Sequence, residues 1–164
     1  MKYWHSFLLF LGAFLLQSTV LNHLSFFGVT PNLVLSLVIV LTFLYDGYHG
    51  VVGGIFFGLI QDLCFGEILG IASFGYFIIG LSILYVKNLL YQDNVLSMLF
   101  VTISSTLSFH LIYWAVFFIF KGHYHFLFMA KTLPISIIYN SIFTISYYLI
   151  IGKRLEKNPK DRYV

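Results

Sequence analysis

The chain has 164 residues, 60% of them hydrophobic and 9% charged, with a mean hydropathy of +0.93 and a formal charge of +3. Apolar surface on that scale does not fit inside one water-soluble core, so the composition calls for an integral membrane protein of a single domain, with no room for a separate soluble unit. The positive charge sits mostly in the tail after Gly152, and no basic face interleaved with aromatics offers itself to a polynucleotide.

Lys2 precedes an apolar run from about Trp4 to Leu21, close to the ~20 residues a bilayer demands. Gln17-Ser18-Thr19 stands where a secretory signal would need its small-x-small cleavage site, so the run (4–21) reads as an uncleaved first span. A loop through Phe26, Phe27 and Gly28 leads to Pro31-Asn32, with the proline suited to a first helical position. The second span, 32–46, is short, since Asn32 to Tyr45 reaches only about 21 Å as a helix.

The third span, 48–63, lies in the segment GYHGVVGGIFFGLIQDLCFGEILG, Gly47 to Gly70. In water each glycine would oppose a helix by about 1 kcal/mol. In lipid the backbone has no other hydrogen-bond partner, so the helix forms and glycine becomes a packing surface. On a 3.6-residue period Gly47, Gly50, Gly54 and Gly58 form one stripe, with Asp62 next on it, so Asp62 faces whatever the glycines pack against. Cys64 to Gly70 forms the following turn and holds Glu67.

The fourth span, 71–87, ends at Lys87, and a short connector, Asn88 to Asn94, leads to the fifth, 95–120, which carries Thr102, Thr106 and His110 at steps of four. Lys121 to Lys131 reads as an aromatic loop lying flat in the headgroup region. The sixth span, 132–151, begins near Pro134 and carries Ser136, Asn140 and Thr144 at the same spacing; a charged, poorly ordered tail, 153–164, follows. With six spans and a cytoplasmic amino terminus, Lys2, Lys87 and the five basic residues of the tail lie inside and only Lys121 and Lys131 outside. That distribution obeys the positive-inside rule, and a chain in which the short second stretch did not cross would break it.

An ionisable residue in a membrane helix marks a functional site by default, and Asp62 is the strongest candidate here. It lies near the end of its helix, where the macrodipole disfavours an anion, so it needs a partner: Lys131 as a cation, or Gln17, Asn32 and Ser73 as donors. The polar stripes of spans five and six either bond to each other, Thr106 and His110 against Asn140, or line a cavity for a small ligand. His123 and His125 are too few for a zinc site, and the single cysteine, Cys64, excludes a disulfide within the chain and any multi-cysteine metal site. No serine has an evident base and orienter, and no phosphate-binding glycine loop is present, so neither a metal, a cofactor nor an enzyme activity is expected.

Leu16-Gln17-Ser18-Thr19 closing the first span, Pro31-Asn32-Leu33 opening the second, and Gly50-x-x-Gly53-Gly54-x-x-x-Gly58-Leu59-Ile60-Gln61-Asp62-Leu63 followed by Gly66 and Leu69-Gly70 resemble the MreD family of rod shape-determining membrane proteins. Glu67-Ile68 stands where that family has a proline or small residue. The resemblance implies an all-α integral membrane protein, a six-span helical bundle similar to the substrate-binding subunits of energy-coupling-factor transporters. It further implies a non-enzymatic scaffold of the bacterial cell-wall elongation complex in the cytoplasmic membrane. Its partners would be an MreC-like bitopic protein, MreB, and the glycan polymerase and transpeptidase of the complex. The packing and partner-facing residues it points to are Pro31, Asn32, Gly50, Gly54, Gly58, Gln61, Asp62 and Gly70. The alternative is a vitamin-capturing transporter subunit, against which the short turn before the fourth span leaves little room for a gating lid.

Overall fold

The computed structural model describes residues 3–21, 28–45, 48–90, 94–121 and 126–157. Among these the architecture is all-helical: α1 (Tyr3–Leu16), continued by a π-helical turn (Gln17–Leu21), α2 (Leu33–Leu44), α3 (His49–Phe65), α4 (Ile71–Val86), a 3-10 turn (Lys87–Leu89), α5 (Val95–Lys121) and α6 (Phe126–Lys157). Successive helices alternate in direction. Ser6 near the start of α1 meets His49 at the start of α3, and Lys87 after α4 meets Tyr45 after α2, while Asn32 at the opposite end of α2 meets Asn140 of α6.

α2 is the axle of the bundle. Its sequence, LVLSLVIVLTFL, is apolar all round, and such a helix must be covered all round. Every one of its twelve residues is buried, and it touches each of the other five helices. The helices around it keep apolar residues outside as well: Leu8, Phe56, Phe77, Leu81, Phe100, Ile103 and Ile142 are all exposed. An apolar interior beneath an apolar exterior is the pattern of a protein dissolved in hydrocarbon. Three stretches, Ile71–Leu89, Val95–Phe120 and Met129–Gly152, are long and apolar enough to cross a bilayer, while Leu33–Leu44 and His49–Phe65 are shorter apolar helices.

The glycine stripe of α3 lies inside the bundle, with Gly50, Gly54, Gly58 and Asp62 all buried. A Cβ on Gly50 would lie 2.7 Å from the backbone oxygen of Val38, and one on Gly58 would lie 2.7 Å from the Ser73 Cα. A Cβ on Gly54 would lie 2.6 Å from the Val38 side chain. The stripe thus packs against α2 at its first turn and against α4 by its third, within this one chain. Gly53, off the stripe, takes the ring of Phe10 from α1.

Three local expectations are corrected. Pro31 does not occupy a first helical position: Asn32 is the N-cap and the helix starts at Leu33. A helix beginning at Phe126 replaces much of the expected 121–131 loop, with Pro134 inside it. Proline is tolerated within a helix of this kind because neighbouring side chains and local adjustments satisfy the freed carbonyls. The same helix runs on to Lys157, so the tail is helical over its first five residues. Gly47, His123 and His125 lie outside the described residues.

Candidate functional site

The polar residues converge at one end of the bundle, where α2 begins. A helix start leaves its first backbone N–H groups without intrahelical acceptors, and burial makes each orphan costly. Here each is met. Gln17 Oε1 accepts from Leu33 N–H at 2.8 Å and Val34 N–H at 3.3 Å, and Asn32 Oδ1 accepts from Leu35 N–H at 2.9 Å. The N-cap amide of Asn32 itself donates to Asn140 Oδ1 at 3.0 Å, so α6 holds the start of α2 from across the bundle. Gln17 reaches α2 from the wide π-helical turn at the end of α1, a distortion often found at functional positions.

Asp62 finds its partner in the helix that follows. Its Oδ2 accepts from Ala72 N–H at 2.8 Å, and the amides of Gly70 and Ser73 and the Tyr113 hydroxyl favour the carboxylate electrostatically. Gly70 has φ +90°, a left-handed conformation that glycine adopts without strain, and it turns the chain straight into α4. The C-terminal end of α3 repels an anion, but the N-terminal end of α4 attracts one, and the folded-back turn brings the second onto the first. The expected Lys131 partner is corrected accordingly: Lys131 is exposed on α6, and amides supply what a cation was expected to. Of the expected donors, Ser73 contributes through its backbone while its hydroxyl donates to Ile55 O at 3.0 Å; Gln17 and Asn32 serve α2 instead.

Tyr76 joins these parts. It is wholly buried, stacks on Phe109 of α5 with centroids 5.1 Å apart and planes 7° apart, and sets its hydroxyl 3.0 Å from Asn32 Oδ1 and 2.9 Å from the Gln61 carboxamide. The polar stripes of α5 and α6 meet as expected, with Asn140 Nδ2 donating to Thr106 Oγ1 at 3.3 Å. They also open into a cavity of about 260 Å³ that includes Gln17, Asn32, Gln61, His110, Tyr113 and Ser136 in its wall. The fold therefore brings together Asn32, Gln61, Asp62 and Gly70 at one end and leaves Gly50 toward the other, with Pro31 at the cavity rim.

The model of one protein family, described as rod shape-determining protein MreD, matches residues 1–157. The chain belongs to the MreD family. No curated protein and no solved structure matches it significantly. Membership ties the chain to rod-shape determination, within a family of shape-determining membrane proteins that is part of the MreB–MreC–MreD system and is not a known enzyme family. The MreD match extends well past the glycine segment, into α6. Sequence reasoning missed Tyr76 and Lys87. Tyr76 sits in an apolar run where an aromatic carries no positional signal. Lys87 read only as an orienting charge, yet it is buried and its Nζ donates to Tyr45 O at 2.9 Å, meeting the end of α2.

Proposed function

We propose that this MreD-family chain is a non-enzymatic scaffold in the bacterial cytoplasmic membrane, binding an MreC-like bitopic protein and helping to organise lateral peptidoglycan synthesis with MreB, the polymerase and the transpeptidase. The single observation that carries the reading is the family match over residues 1–157. The helices are taken as six spans in a bundle resembling transporter substrate-binding subunits, with both termini cytoplasmic. The positive-inside count and the alternation of helix directions both support that orientation. It puts Lys87 inside and the Asn32–Asp62 end outside.

In this reading the glycine stripe acts indirectly. Because Gly50, Gly54 and Gly58 are spent on packing within the chain, they give the bundle its shape, and the partner meets an outer face. The exposed apolar girdle supplies such faces in abundance, and contact between spans in lipid rests on shape and small polar bonds.

The test is co-purification of the tagged protein in mild detergent from cross-linked native cells, with mass spectrometry of what comes with it. Enrichment of an MreC-like bitopic protein and the wall-elongation enzymes is the expected result. Recovery of paired ATPases with a membrane coupling subunit would overturn it in favour of a transporter subunit.

A further inference from the structure

The cavity at the Asn32 end has a hydrogen-bonding character that the fold itself dictates. Four carboxamides and one imidazole stand in its wall; Asn140 has both its polar atoms engaged, with Asn32 N–H and Thr106 Oγ1, and each of the others has one committed elsewhere. Gln17 Oε1 accepts from Leu33 and Val34 N–H groups, which fixes the amide orientation and leaves Nε2 as a donor with no bond among the described residues. Asn32 Oδ1 is fixed in the same way by Leu35 N–H, leaving Nδ2 as a second donor. Neither nitrogen is among the buried polar atoms lacking a partner, and both side chains line the cavity.

Gln61 resolves differently. Tyr76 has one hydroxyl proton for two amide neighbours, and Asn32 Oδ1 is an acceptor already. One arrangement satisfies all three groups: Tyr76 donates to Asn32, and the Gln61 amide is turned so that its NH2 donates to the Tyr76 oxygen. The carbonyl oxygen of Gln61 then faces the cavity. His110 adds a second acceptor, because Nδ1 lies 3.0 Å from the Thr106 carbonyl and must carry the proton there, which leaves Nε2 of the neutral ring with a lone pair. Donors from Gln17 and Asn32 thus stand with acceptors from Gln61 and His110, between the aromatic side chains of Phe109 and Tyr113. Among the described residues no lysine or arginine lines the cavity, and the Asp62 carboxylate interacts with Tyr113 in its wall, so an anion is not what this lining suits.

We propose that this cavity binds a small neutral solute bearing a secondary amide, whose carbonyl accepts from Gln17 and Asn32 and whose N–H donates to Gln61 or His110. The volume of about 260 Å³ admits such a group together with a short substituent. The chemistry is shared by a blocked amino acid and an acetamido sugar. The proposal goes beyond the scaffold reading and does not depend on it.

The test uses the full chain in lipid nanodiscs with four probes at millimolar concentration, read by saturation-transfer NMR: N-acetyl-alanine methylamide, N-acetylglucosamine, and the amide-free controls glucose and acetate. Transfer to at least one amide probe and to neither control is expected, and which amide probe binds tells peptide from sugar. Gln17→Glu keeps the oxygen that caps α2 while replacing the donor with an acceptor. It should retain or raise the thermal midpoint and weaken amide binding by about tenfold or more. His110→Phe, which leaves the α2 cap untouched, should weaken it as well and serves as the deciding variant if Gln17→Glu fails to fold. Absence of transfer to both amide probes, equal transfer to the controls, or undiminished binding in folded variants would each overturn the proposal.

Discussion

The two ends of α2 are satisfied by opposite means. At its start, oxygens from Gln17, Asn32 and Asn140, drawn from three separate segments, take up the backbone N–H groups and the cap amide. At its finish, the ammonium of Lys87 donates to the carbonyl of the C-cap residue Tyr45. Both ends complement the helix dipole, oxygen at the positive pole and cation at the negative one. The difference lies in what is left over. A carboxamide that lends its oxygen keeps an NH2 to spare, so the start of α2 has both a cap and a cavity. At the start Gln17 shares its oxygen between two N–H groups, whereas the finish leans on a buried lysine.

The largest break in this comparison comes from the glycines that bring α3 up to both ends. Gly50→Leu and Gly58→Leu force a side chain into the backbones of α2 and α4, respectively. Each should cost more than ~4 kcal/mol, enough to abolish a monodisperse peak in size-exclusion chromatography. Wild-type behaviour of either variant would remove close packing as the role of the stripe.

Lys87→Met keeps the length of the side chain and removes the ammonium donor from the buried Tyr45 carbonyl. A loss of about 1–3 kcal/mol is expected in steric-trap unfolding, smaller than that of Gln17→Leu, which orphans two N–H groups at the start of α2. The reverse order would refute the contrast between a shared and a dedicated cap. Asp62→Asn keeps an oxygen for the Ala72 amide and loses only the charge facing the α4 N-terminus, so about 1 kcal/mol should go, measured in the same way. Asp62→Leu, which loses the acceptor too, should fall well below it. At the bottom of the scale, a Cβ on Gly12 meets nothing within 4 Å, and Gly12→Ala should leave the thermal midpoint unchanged or raise it by the equivalent of up to ~1 kcal/mol.

Much of this was legible in sequence because it follows a period. The stripe Gly50–Gly54–Gly58–Asp62 needs only the 3.6-residue repeat, and the structure buries all four. The meeting of Thr106 with Asn140 likewise follows from two matched polar stripes on consecutive helices. What the period does not carry is the partner at the far end of a contact. The Ala72 amide that Asp62 accepts from is backbone, invisible as a residue type, and it arrives only because Gly70 turns α4 back on α3. Lys87 escaped notice because a lysine flanking an apolar run is normally a solvated marker of orientation, and only the depth of Tyr45 beside it changes its meaning. Pro134 misled in the other direction, since a rule for helices in water placed a boundary where α6 continues.

The complete enclosure of α2 has a bearing on how the protein is made. α3 to α6, four of the five helices that cover α2, follow it in the chain and are synthesised after it. Until they arrive, Ser36, Thr42 and both helix ends meet lipid or an insertion factor rather than their final neighbours. One bond to the cap of α2 comes from Asn140 of α6, so the axle is locked only once α6 has been made. Chains that stall before α6 carry an unfinished core, with the start of α2 missing its bond to Asn140.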